Sequence, residues 1–172
     1  GNGNTNTTLS GNGANNDLTI RTSTTDTPGN VTLDEVNSTG GGSFLRNLII
    51  NALDTDTAAG PHGTVTLNGD IFVDAAAGAS SVTIDGNVRL GDLAAGATRT
   101  IDSNQTAGGT GGNISLAVNG GEVSSALDGI DLVLNTADTV AGGNVALGSL
   151  NGAGGNFLND LIVTTTGAAN GS

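Results

Sequence analysis

The sequence predicts an all-β protein, a right-handed parallel β-helix (β-solenoid), on three observations. A five-residue phrase, Gly-(Asn/Thr)-(Val/Ile)-x-Leu, occurs five times: at 29–33, 63–67, 86–90, 112–116 and 143–147. A second phrase, apolar-x-apolar-(Asp/Asn)-small, alternates with it at 48–52, 82–86 and 132–136, with variants at 18–22, 99–103 and 161–165. No stretch sustains a 3.6-residue apolar period with caps, whereas the apolar pairs two residues apart have the period of strands. Short strands repeated at coil-length intervals are the signature of stacked repeats. Parallel strands joined by crossovers follow the right-handed rule.

Each phrase justifies one side of a coil. In the first, the glycine permits a turn conformation that other residues resist. The Val or Ile and the Leu then point to one face, and the residue between them points to the other. The five copies are expected to stack as one parallel sheet with Val31, Val65, Val88, Ile114 and Val145 in a single inward column. A short third element follows each copy: Val36, Ile71 to Val73, Leu93, Val118 to Val123, and Leu150. Coils run from about 23 to 34 residues, measured from glycine to glycine. Loops that vary while strands persist are typical of solenoids. Residues 1–16, rich in Gly, Asn and Thr, read as a linker or frayed coil. Residues 17–166 read as the solenoid, and 167–172 as a C-terminal linker.

A longer echo fixes the repeat. Leu18, Ile20, Thr22, Gly29, Asn30, Val31 and Leu33 return 114 residues later as Leu132, Leu134, Thr136, Gly143, Asn144, Val145 and Leu147. After a one-residue deletion, Phe44-Leu45-Arg46-Asn47-Leu48-Ile49-Ile50 returns as Phe157-Leu158-Asn159-Asp160-Leu161-Ile162-Val163. The unit is expected to hold four coils in 114 residues, with the chain a slice of a longer array.

Composition narrows the function classes. The net charge is −12 over 172 residues, and all four basic residues are Arg. That disfavours nucleic acid and anionic membrane surfaces, which both select basic patches. There is no Cys, Met, Trp, Tyr or Lys, and the aromatics are Phe44, Phe72 and Phe157. The core must therefore be a thin one of Val, Ile and Leu. Absence of cysteine leaves the redox compartment open. No apolar run is long enough to span a membrane.

The polar positions are read mostly as architecture. Asn30, Thr64, Asn87, Asn113 and Asn144 are expected to form one structural ladder, like the asparagine ladders of cross-β stacks. Asn51, Asp85, Asp102 and Asn135 form a second column, better explained by turn chemistry than by ligand binding. Asp70 and Asp74 flank Ile71-Phe72-Val73 and could form a carboxylate pair for glycoside chemistry, with Phe72 exposed between them. Asp54, Asp56, Asp128 and Asp131 place oxygen ligands at short spacing, which makes calcium the one cofactor the sequence suggests. His62 lacks a Cys or His partner and reads as a solvated loop residue. Arg99 stands where the other copies hold Leu or Val. An inward Arg is costly unless it is paired, so the strand is expected to be irregular or to turn Arg99 outward near Asp102, with Arg99→Leu tolerated or stabilising. No nucleophile–base constellation, phosphate loop or zinc spacing is present, so no catalytic residue is assigned.

The Gly-Asn-Val-x-Leu phrases, the stretch Gly-Gly-Asn-Phe-Leu-Asn-Asp-Leu-Ile-Val at 154–163 and the Gly/Ala/Thr-rich loops resemble the repeat regions of giant secreted bacterial surface proteins. These are the filamentous-haemagglutinin-like adhesins and autotransporter passengers. The resemblance implies a parallel β-helix at the bacterial cell surface, serving adhesion or forming stalks and fibres. Its partners would be adjacent repeats or other copies stacked end to end, and surface glycans. The rival expectation is a carbohydrate-active β-helix or a glycan-binding module.

Overall fold

The structure, a computed structural model, describes residues 16–23, 27–37, 44–54, 61–74, 80–91, 94–105, 110–150 and 156–167. Most of both expected linkers lies outside these residues, and Asn16 already opens the first strand.

Three parallel sheets wrap one aliphatic core. The first sheet runs β1 (Asn16–Arg21), β3 (Leu45–Asn51), β6 (Ser81–Asp85), β9 (Asn113–Leu116) and β12 (Val145–Leu147). The second runs β2 (Val31–Leu33), β4 (Thr64–Leu67), β7 (Asn87–Leu90), β10 (Glu122–Ser125) and β13 (Ser149–Leu150). The third runs β5 (Ile71–Phe72), β8 (Thr98–Asp102), β11 (Ile130–Asn135) and β14 (Leu158–Thr164). Val36 supplies the missing third side of the first coil through a parallel bridge to Ile71. The chain visits the sheets in fixed order, first, second, third, and then climbs one coil. No helix occurs among the described residues. The β-solenoid expectation is therefore met.

The side-chain alternation explains the core. In β4, β6 and β11, and in β3 from Leu48 onward, every second residue is buried. Stacked partners such as Leu48 and Val82, or Ile50 and Ile84, are fully buried in register. Each such Leu or Ile contributes roughly 1.5–3 kcal/mol relative to exposure. Phe72 is also buried, at 6% exposure, which corrects the expectation of an exposed aromatic.

The five Gly-(Asn/Thr)-(Val/Ile)-x-Leu phrases do not stack as one sheet. Val31, Val65 and Val88 form one column in the second sheet. Ile114 and Val145 belong to the first sheet, above Val82. The place vacated in the second sheet goes to Val123 and Leu150. The phrase encodes a turn followed by a strand. Which side of the coil it lands on depends on how many sides precede it, and β8 with the turn after it brings Gly112 to the first sheet. The glycines follow their strands. A Cβ on Gly121 would lie 2.5 Å from the Gly86 carbonyl oxygen, so the turn before the second sheet can stack closely only without a side chain.

Arg99 also departs from expectation. β8 pairs regularly with β11, Arg99 opposite Leu132, and the side chain points inward at 4% exposure. The reason lies one coil below. β5 is short and pairs with β8 only from Ile101 onward, so a corner of backbone, 68–70, faces position 99 instead of an apolar side chain. Arg99 Nη2 donates to the carbonyls of Asn68 at 2.6 Å and Gly91 at 3.1 Å. Its Nη1 pairs with Asp70 at 3.2 Å, not with Asp102.

The 114-residue echo is a structural duplicate. β1 and β3 pair with a register irregularity after Asn16, and β11 and β14 repeat it after Ile130. Thr22 Oγ1 donates to Gly29 O at 2.8 Å, and Thr136 Oγ1 to Gly143 O at 3.0 Å. Arg46 Nε donates to Asp17 Oδ1 at 2.9 Å, and its counterpart Asn159 donates through Nδ2 to Asp131 Oδ1 at 2.9 Å. Yet β1 lies in the first sheet and β11 in the third. Counted by sides, the expected four coils per 114 residues become eleven sides, or three and two-thirds coils. The duplicate is therefore displaced by one side around the solenoid.

Candidate functional site

The ladder residues divide between two columns, because their phrases do. Thr64 and Asn87 stack in register on the second sheet. Asn30 Oδ1 accepts the Thr64 backbone N–H at 2.8 Å, and Asn87 Oδ1 accepts that of Glu122 at 3.1 Å. On the first sheet Asn113 Oδ1 accepts the Asn144 N–H at 2.9 Å. Each of these three asparagines ties the turn of the next coil to its own. The bonds run from backbone to side chain, not from amide to amide along one column as expected. Such bonds satisfy N–H groups at turns, where no strand partner is available.

The second polar column is turn chemistry. Asn51, Asp102 and Asn135 each accept a hydrogen bond from the backbone N–H two residues on, at Leu53, Asn104 and Ala137. This is the Asx-turn geometry that made Asp and Asn candidates for a turn role. The column is again split. Asn51 stacks under Asp85 in the first sheet, and Asp102 under Asn135 in the third. Asn135 Nδ2 also donates to Asp102 Oδ2 at 2.9 Å.

Asp70 and Asp74, at the two ends of β5, have different surroundings. Asp70 holds Arg99 and accepts the Thr100 N–H at 2.9 Å. Asp74 is buried at the other end of β5, where its charge acts on Asp102. Burial pushes the Asp102 carboxyl above its usual range, and Asp74 adds to the shift. Hydrogen bonds from Asn104, Asn135 and Gln105 oppose it. Sequence reading missed this proximity because Asp74 and Asp102 lie on neighbouring coils of the third sheet.

Two polar clefts lie among the described residues. One, of about 420 Å³, is lined by Asp102, Asn104, Gln105, Asn135, Ala137, Asp138 and Thr139. Within it, Asp102 has its two oxygens held by the turn and by Asn135. The other, of about 290 Å³, is lined by Asp34, Glu35, Asn68, Gly69, Asp70 and Arg99. There Arg99 and Asp70 are occupied with each other and with the corner carbonyls. Both clefts are acidic and polar, and neither is lined by an aromatic ring that would stack on a sugar.

Two of the calcium candidates, Asp128 and Asp131, accept hydrogen bonds from the next coil. Asp128 Oδ1 accepts the Phe157 N–H at 2.8 Å, and Asp131 Oδ1 accepts Asn159. Asp54 lies at the end of the first-sheet coil, and Asp56 lies outside the described residues. Among the described residues no group of three His, Cys, Asp or Glu side chains is placed to hold a metal ion. His62 is half-buried and bridges Leu53 in antiparallel fashion, so it is not a freely solvated loop residue.

Among the described residues, exposed large apolar side chains gather on the outer coil. Leu161, Ile162 and Val163 of β14 are 37%, 46% and 44% exposed, and Leu150 of β13 is 40% exposed. Leu132 and Leu134, directly beneath Leu161 and Val163, are fully buried. Among the described residues β14 is the edge strand of the third sheet, and no strand pairs with its outer side.

The chain matches no protein-family model, no curated protein and no solved structure.

Proposed function

We propose that the chain is a non-catalytic structural or adhesive repeat segment of a large extracellular protein or fibre at a bacterial cell surface, forming a rod by stacking coil on coil. One observation carries this reading. Among the described residues the inward columns reach the outer coil with their last members uncovered, Leu161 and Val163 being exposed above the fully buried Leu132 and Leu134. A surface of this kind takes another coil, either from an adjacent repeat or from a second copy stacked end to end. The polar side chains that repeat from coil to coil support the same role, since they bond to neighbouring turns. The charge of −12 suits a surface that avoids nucleic acid and anionic lipid. No helix of the described residues is long and apolar enough to cross a membrane.

A carbohydrate-active or glycan-binding reading has one specific support, the Asp102 cleft with its raised carboxyl and the buried Asp74 beside it. A polysaccharide panel, assayed for both retention and turnover, separates the two. The rod reading expects no turnover. Turnover that disappears in Asp102→Asn would establish the rival. Antibody labelling of intact cells of the source bacterium tests the location, and labelling only after lysis would refute it.

A further inference from the structure

We infer that the open face formed by β12, β13 and β14 is a receiving surface for one particular coil, a further coil of this repeat with the sequence character of β4, β5 and β6. The inference rests on the rod reading and specifies its partner. The chain already contains a filled copy of the same surface. Val31, Leu33, Val36, Leu45, Leu48 and Ile50 form the face that β4, β5 and β6 cover, with Val65, Leu67, Ile71, Val73, Val82 and Ile84 stacked on them in that order. All six covering residues are fully buried.

The open face repeats the covered one position by position. Val145, Leu147, Leu150, Leu158, Leu161 and Val163 stand 114 or 113 residues beyond Val31, Leu33, Val36, Leu45, Leu48 and Ile50. Four are identical and two are aliphatic exchanges. Backbone geometry is repeated as well, because the Thr22–Gly29 turn and the irregular β1–β3 register recur at Thr136–Gly143 and in β11–β14. Asn144 occupies the position of Asn30, whose Oδ1 receives the N–H of Thr64 at the entry to β4. Two surfaces with the same apolar columns, the same turn and the same waiting acceptor select the same partner.

The displacement by one side decides the register. On the filled copy, β4 lies on the second sheet and β6 on the first. On the open copy, the equivalents of β2 and β3 are β12 on the first sheet and β14 on the third. The incoming equivalents of β4, β5 and β6 therefore take the first, second and third sheets. Successive units of the array are turned by one side, about 120° for a three-sided coil, so any surface group of the unit is presented on a different face each time. A separate copy of the chain does not present this coil, because its β4 and β6 are already paired on both edges.

The test extends the full chain. Residues 167–172 are replaced by residues 54–103 of the same sequence, which follow β3 as the extension would follow β14. A second extended chain carries the same residues shuffled. Hydrogen exchange at the β14 amides is the readout. The native extension is expected to slow exchange across Leu161–Thr164 by about tenfold or more, the behaviour of an edge strand becoming an interior one. Leu161→Asp should abolish that protection in the extended chain. Unchanged exchange with the native extension would overturn the inference, as would equal protection from the shuffled one. So would self-association of the unextended chain that protects β14 equally. Polysaccharide turnover would refute the rod reading without altering these exchange rates, so the two failures are distinguishable.

Discussion

Replacing Arg99 by leucine tests how this core is completed. By sequence alone the substitution restores the column residue found in the other copies, and stability should hold or rise. The structure reverses that expectation. Arg99 fills a gap that β5 is too short to fill, and it gives hydrogen bonds to the carbonyls of Asn68 and Gly91 as well as to Asp70. Leucine removes both carbonyl partners, and leaving two such acceptors unsatisfied costs about 3 kcal/mol together. Loss of the Asp70 ion pair adds about 1 kcal/mol after allowance for screening, since Asp70 is 35% exposed. Leucine returns about 1 kcal/mol of apolar burial, because the arginine stem already occupies much of that space. The net is about 3 kcal/mol, or roughly 6–12 °C in Tm for a chain of this size. Thermal unfolding followed by circular dichroism measures it. Arg99→Lys should fall between, since one ammonium cannot reproduce the planar fork. In a double-mutant cycle with Asp70→Asn, the coupling should be about 1 kcal/mol. An Arg99→Leu protein that melts at or above the parent temperature would refute the account.

Four further outcomes follow from the same geometry. Asp102→Asn should raise Tm at neutral pH. The native state holds the Asp102 proton more tightly than the unfolded chain, so its contribution is fully present below the ordinary carboxylate pKa and is lost as pH rises through the raised folded value. The gain should therefore vanish in acid, and a pH series of melting curves checks both halves. Asn87→Ala removes the acceptor for the Glu122 N–H and should cost about 1 kcal/mol in denaturant unfolding. Gly143→Ala should cost about 2 kcal/mol or more, because its Cβ would fall 1.9 Å from the Gly112 carbonyl oxygen. Gly96→Ala, with no atom within 4 Å but a φ of +80°, should lose only the smaller cost of a strained backbone.

By itself the sequence determined what each short segment does. Alternating Val, Ile and Leu require a strand with one buried face, and Gly-Asn requires a turn before it, so an all-β stack with a thin aliphatic core was legible. Asx turns at Asn51, Asp102 and Asn135 were legible for the same reason, since their bonds reach only two residues along the chain. Tertiary structure alone decided which face each segment joins. The phrase at 112–116 is nearly the same as that at 86–90, yet they sit on different sheets, because a coil is closed by counting sides and the phrase carries no count. The weak strand β10, Glu122-Val123-Ser124-Ser125, takes the second-sheet position although it lacks the Asn and Leu of the phrase. Arg99 was misread for a related reason. What fills an inward position depends on the coil beneath it, 29 residues away at Asp70, and that stacking exists only after the chain has closed its turns.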